Sequence, residues 1–493
     1  MVQRNNQKND GRAAVPKFPP RILLVLFLLS LPLLNPWVRG DGVGYYAYAR
    51  ALLIQHNLDF APDYAHANQT FREARLDSSG VPRSLFRTAT GHLENHFSVG
   101  PAILWAPFLI VAHACVLLTR AFGSHASADG FSLSYLIAMA LGTLLYGFAA
   151  LLLSYRVACR FVAGRWALFA TIAIWWASSL PVYMYFNPSW SHAHSAFAVA
   201  LFFWYWLRTR GSRTLPQWLV LALLGGLMMN VYYPNALVLV ILVPEALANY
   251  RAAWTTRMNE SSHGNVGSLL TFHLFFCALL IVSLLPTFLT RYFVYGGFFQ
   301  TGYIPVSDWA WTSPWFLALL FSANHGLFSW TPILLFATVG LFLFSRKFPA
   351  IALSVLSALF AFYYFMASYP DWHGISSFGN RFFVSLTVFF VLGLAVLLEA
   401  IASHLRSRRV ASALLAAALG VFVVWNLGLI FQWGTQLIPS RGPVSWSAVV
   451  HNQFHLVPRK TFSEMEVYLF RRKEVLHQIE QRDSEQQKHS LSP

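Results

Sequence analysis

RILLVLFLLSLPLLNPWVRGDGVGYYAYARALL, residues 21–53, decides the fold class. It opens with an apolar run from Ile22 long enough to cross a bilayer core, behind the basic residues Arg4, Lys8, Arg12, Lys17 and Arg21. No small-residue cleavage pattern follows, so the run is expected to stay in place as an uncleaved first span. At its far end Asp41 opens a segment carrying Tyr45, Tyr46 and Tyr48, which reads as a short interfacial helix. Two readings of Asp41 stand side by side. It is a general base at the membrane surface, or it caps the short helix while the tyrosines form an interface belt.

The rest of the chain follows the same pattern. Of 493 residues 56% are hydrophobic and 11% charged, whereas soluble proteins carry about a quarter charged residues. A soluble enzyme is excluded, and the long apolar blocks are unlike the short alternations of outer-membrane barrels. The class is all-α, a polytopic helical membrane protein. A net charge of +16 would suggest nucleic acid as partner in a soluble protein; here the partner is the lipid bilayer and no nucleic acid is expected. Cys115, Cys159 and Cys277 show no paired spacing, hence no disulfide framework or zinc site.

Further span-length stretches are expected near 131–154, 166–184, 193–207, 268–290, 326–344, 348–367, 381–399 and 410–432. The stretch 217–248 is too long for one crossing and is interrupted by Tyr233-Pro234-Asn235, which predicts two short helices meeting at the proline. The stretch 99–118 is long enough to cross, and short-loop Lys and Arg arbitrate. If it does not cross, the cytoplasm collects the basic residues at 4–21, 156–165, 208–213, 251–257, 346–347 and 406–409. A crossing would send all but the first group outside. It is therefore expected to lie in the outer interface or to re-enter, giving about eleven spans. The parts are then a cytoplasmic basic tail (1–21), a transmembrane region (22–432) with a long first outer loop (39–130), and an outer C-terminal tail (433–493). Thr461 to Arg482 reads as a charged amphipathic surface helix.

Ionisable groups are almost missing from the spans; Glu245 and Glu399 fall at predicted cytoplasmic ends. That argues against ion-coupled transport, and polar residues gather instead in the outer loops.

In layout the chain resembles the GT-C superfamily of membrane glycosyltransferases, which includes protein O-mannosyltransferases and lipid A aminoarabinose transferases. The likeness rests on Asp41 just past the first span, the long first outer loop with interfacial helices, and the Arg-rich turn Tyr155–Arg165. It rests also on the helices broken at Pro234 and on Asp371-Trp372-His373-Gly374 running into Ser377–Phe383. The resemblance implies transfer of a sugar from a polyprenyl-phosphate donor to an acceptor of unidentified class on the outer face, in a bacterial inner membrane. It implies Asp41 as base, with Tyr45, Tyr46, His192, His194, Arg291, His373 and Arg381 as substrate contacts. Asp41 is followed by Gly42 where relatives carry a second acid, so no metal or other cofactor is implied.

Each contact has a plainer alternative. Arg291 and Arg381 sit at span ends, where arginine snorkels to the interface. His192 and His194, two apart, point to different sides of a helix and would serve as polar caps. His92, Glu94 and His96, or Asn324 and His325, line a cleft or simply a solvated loop. Trp309, Trp311 and Trp315 stack on sugars or belong to an aromatic belt. Rival functions are a transporter or flippase, and a glycan ligase or polymerase.

Overall fold

Without water to satisfy it, backbone in a bilayer must close its own hydrogen bonds, and helices do this within one segment. In the computed structural model, which describes residues 20–491 apart from 72, 212 and 260–263, the apolar stretches are helical and no strand occurs among the described residues. The basic residues 4–17 lie outside the described part. The helices are α1 (Arg21–Ser30), α2 (Asp41–Arg50), α3 (Ala61–Ala67), α4 (Gly100–Ala121), α5 (Leu133–Ala158), α6 (Gly164–Trp176) and α7 (His192–Thr209). They continue as α8 (Leu215–Val231), α9 (Leu242–Asn259), α10 (Gly264–Ser283), α11 (Leu285–Tyr295), α12 (Phe316–Phe321), α13 (Leu327–Trp330) and α14 (Ile333–Lys347). The last are α15 (Pro349–Ser368), α16 (Thr387–Ser403), α17 (Arg408–Gly434), α18 (Trp446–His451), α19 (Val457–Phe470) and α20 (Arg472–Leu491). Among the described residues seven segments, Gly100–Ala121 (α4) included, are long and apolar enough to cross a membrane, with the shorter apolar helices Arg21–Leu33 and Leu215–Val231 beside them. The chain is a multi-pass helical membrane protein.

Proline and local side-chain bonds set where the expected spans break. The stretch 166–184 stops at Trp176, where Ser178 Oγ donates to the Ile174 carbonyl, and Pro181 opens a π-helical turn, Val182–Phe186. Pro286 separates α11 from α10, and Pro332 precedes α14. After α8 the chain is extended at Tyr232 and returns through the 3₁₀ stretch Tyr233–Ile241, with the Asn235 amide donating to the Met228 carbonyl. The predicted break at Pro234 is thus an extended residue followed by a tight helix.

α16 is the centre of the bundle. The segment Arg381–Ser403 has 72% of its membrane-length window buried, against 6% for Val266–Ser283 at the periphery. α14 approaches α16 backbone to backbone: a Cβ on Gly340 would lie 1.8 Å from the Gly393 carbonyl oxygen, the close approach that small residues allow in membranes. Polar ties cross the same region, Ser195 sharing a hydrogen bond of 2.7 Å with Ser385 and receiving one of 2.8 Å from Asn235. The two span-end acids are also tied down. Glu245 accepts from Arg213 at 3.0 Å and from the Trp206 indole at 2.7 Å, and Glu399 accepts from the Ala163 amide at 2.8 Å.

α4 does not lie flat. Trp105 donates to Thr143, the Tyr146 hydroxyl donates to the Leu104 carbonyl, and His113 meets Tyr135, pairings that run in opposite directions along α4 and α5. α4 therefore stands upright against the first half of α5, with Gly100 pressed on the backbone of Asn230 and Val231 at the end of α8. This geometry does not suit a flat interfacial position, and α4 is itself one of the segments long and apolar enough to cross a membrane.

Replacing Gly340 by Ala is expected to lower stability by about 1–3 kcal/mol or more, since backbone cannot yield as a side chain does. Gly267→Ala, where a Cβ meets nothing within 4 Å, should leave thermal melting in detergent unchanged or slightly raised; equal melting of the two variants would refute the backbone contact.

Candidate functional site

Nine of the ten residues of α2 are buried, and Asp41 is the one that is not. Its carboxylate is 31% exposed and pairs with Arg381 Nη1 at 2.6 Å, the arginine side chain being 10% exposed. Asp41 is the first helical residue and makes no capping bond: the cap position is Gly40 and no side chain closes it. Capping is therefore not what the carboxylate does here.

Around the ion pair three pieces of chain meet. The turn 187–192 supplies Trp190, whose ring lies under the Arg381 guanidinium at 4.5 Å and whose Nε1 donates to the Arg39 carbonyl. It also supplies Ser189, so close to α2 that a Cβ on Gly42 would fall 2.0 Å from Ser189 Oγ. A second acid next to Asp41 is thereby excluded on steric grounds. Among the described residues no group of three or more His, Cys, Asp or Glu gathers that could hold a metal ion.

The loop 369–380 supplies His373. It is braced by the Asn380 amide on the Trp372 carbonyl at 3.0 Å and by the Phe378 amide on the Tyr183 hydroxyl at 3.2 Å. Burial holds His373 below the ordinary imidazole range; Asp371 opposes this and Arg381 adds to it.

The third piece is α7 and the break after α8. His192 is buried between Tyr183 (ring centroids 4.6 Å) and Tyr232 (5.8 Å). Ser189 Oγ, His192 Nδ1 and Arg381 Nε are buried without a hydrogen-bond partner in the chain. These atoms are able to pair with water or with the hydroxyls or anionic oxygens of a ligand, as are both ring nitrogens of His194, which lie outside this group.

The expected contacts separate into two groups. Asp41, Tyr45, His192, His373 and Arg381 gather: Tyr45, one turn on from Asp41, has its hydroxyl by Ser191. Tyr46 turns away, donating to the Gly130 carbonyl at 2.6 Å, and His194 faces Trp105 and Tyr146, on the other side of α7 from His192. Arg291 is buried behind the site and already committed. It donates to the carbonyls of Asn95 (3.0 Å), His96 (2.6 Å) and Phe97 (3.0 Å) and to the Tyr233 hydroxyl. It pins the first loop to α11 and is neither snorkelling nor open to a phosphate. Trp190, Tyr183 and Tyr232 were not foreseen. The available signal was the lone Arg381 at the head of an apolar span, which needs a counter-charge and an aromatic face nearby.

The tail reaches this region from the same side. The Tyr468 hydroxyl donates to the Leu33 carbonyl at 2.8 Å, Arg472 donates to the carbonyls of Pro32 and Leu34, and Asp483 pairs with Arg39 at 2.6 Å. Compared with known proteins, the chain matches no family model, no curated protein and no solved structure.

A double-mutant cycle with Asp41→Asn and Arg381→Met is expected to give a coupling of about 0.5–3 kcal/mol in detergent unfolding; additive effects would show that the two do not interact. Truncation after Arg471 should raise amide hydrogen exchange across 32–41 while α14–α16 stay protected, and unchanged exchange there would show that the tail does not brace the site.

Proposed function

We propose that the chain is a membrane glycosyltransferase of GT-C type. It moves a sugar from a polyprenyl-phosphate donor to an acceptor hydroxyl on the outer face, with inversion. The observation that carries this reading is the Asp41–Arg381 pair, open on the carboxylate side and ringed by buried polar atoms that lack partners. Transfer from a lipid phosphate needs one base for the acceptor proton and a holder for the departing phosphate. A phosphate leaves without protonation, so the paired carboxylates of glycoside hydrolysis are not required.

In this reading the donor phosphate competes with Asp41 for the guanidinium of Arg381. The freed carboxylate takes the acceptor proton as the new bond to the sugar's anomeric carbon forms and the bond to phosphate oxygen breaks. Tyr45 and His192 hold sugar hydroxyls, and His373 stands beside them. Arg291 acts from behind, by fixing residues 95–97. The path through the membrane is eleven crossings by α1, α5, α6, α7, α8, α9, α10, α14, α15, α16 and α17, with α4 re-entrant. The N-terminus is then cytoplasmic, and the protein sits in a bacterial inner membrane and serves the cell envelope.

In a transfer assay in membranes with polyprenyl-phosphate sugars, Asp41→Asn is expected to lose about 10²–10⁴-fold in rate. Full activity in that variant removes Asp41 as base. A reporter fused after residue 125 should sit outside; a cytoplasmic signal would mean that α4 crosses completely.

A further inference from the structure

Residues 446–470 form one unbroken helical run, made of α18, the π-helical stretch Asn452–Leu456 and α19. One side is held by α17: Gln453 accepts from the Gln432 amide at 2.8 Å and packs on Gly428, where a Cβ would leave it no room. Further along, the Tyr468 ring meets Phe186 at 5.8 Å, beside its bond to Leu33. The run therefore bridges α17 and the exit of α1.

What it leaves exposed is two-sided. Val450, Phe454, Phe462, Met465 and Leu469 recur at helical spacing, Phe462 being 86% exposed. Next to this stripe lie Arg459, Lys460, Ser463 and Glu466, also exposed, with Glu464 half-buried. The apolar stripe continues onto α17, whose Val421 and Val424 are 69% and 67% exposed. A water-facing surface does not carry a contiguous apolar band of this kind. A helix with an apolar stripe flanked by charges of both signs, lying alongside a helix long and apolar enough to cross a membrane, is built for the boundary between acyl chains and headgroups.

We propose that residues 446–470 form an interfacial helix bound to lipid on the face that carries the first loop. Phe454, Phe462, Met465 and Leu469 enter the acyl region, and Arg459 and Lys460 meet headgroup phosphates. The bilayer is favoured over a second copy of the chain because the stripe is continuous with the outward face of α17, a helix long and apolar enough to cross a membrane. The charged surface helix expected over 461–482 is then two things: α19 at the lipid boundary, and α20, rich in charge, above the first loop. None of this depends on the chemistry proposed for Asp41.

Spin labels test it in phospholipid vesicles, with Cys115, Cys159 and Cys277 replaced by Ala and single variants Phe462→Cys, Met465→Cys, Lys460→Cys and Ser463→Cys. Labels at 462 and 465 are expected to collide severalfold more often with oxygen than with a water-soluble nickel chelate, and those at 460 and 463 the reverse. Equal nickel access at 462 and 463 overturns the proposal, as does dipolar broadening between labels at 462, which would place a second copy on the stripe. In the unmodified protein a photoactivatable phospholipid should label the 446–470 peptide. Labelling confined to the other apolar helices also overturns it.

Discussion

The guanidinium of Arg381 is the charge on which the arrangement turns. It sits at the head of the most enclosed helical segment, where an unpaired cation is costly and a counter-charge is required. Asp41 supplies it from a different part of the chain, so the first loop is tied to the bundle centre by one ion pair. The neighbours follow from that requirement. Trp190 covers the face of the guanidinium, Gly42 lets the turn 187–192 come close enough to place it, and the braced loop 369–380 closes the remaining side.

A second arginine shows how the same residue type takes another role. Arg291 has a comparable burial and position at a helix near the first loop, yet its hydrogen bonds go to carbonyl oxygens and a tyrosine instead of a carboxylate. Carbonyls of a loop are fixed dipoles, and a guanidinium with its donors spread in a plane can gather several of them. Arg291 thereby gives irregular backbone at 95–97 the hydrogen bonds that a helix would have given it. Arg381 keeps one edge for an ion and one nitrogen unpaired.

The class of fold was legible because composition and run length are local properties, and apolar runs such as 410–432 lie within two residues of α17. The break at Pro234 was legible; the one at 177–181 was missed although Pro181 lies in it, and there the Ser178 hydroxyl bonds back to the Ile174 carbonyl at the end of α6. Asp41 and Arg381 could each be named from their places at span ends. Their contact could not, since 340 positions separate them and nothing in local spacing encodes which distant charge answers which. The same limit applies to Trp190 and to the direction of Tyr46. The i, i+2 spacing of His192 and His194 did foretell that they face different ways, because that is a property of one helix.

The contacts of Tyr468, Arg472 and Asp483 with Leu33, Pro32, Leu34 and Arg39 place the exit of the first helix and the C-terminal tail on one face of the molecule. Topology turns this into a rule of parity: a chain that leaves a membrane and later returns to the same side has crossed an even number of times in between. The path proposed above, with ten crossings from α5 to α17, satisfies the rule. A crossing by α4 in addition would require one of the shorter helices to stop short of crossing. Under that proposal the number of crossings is constrained by a salt bridge made near the end of the chain.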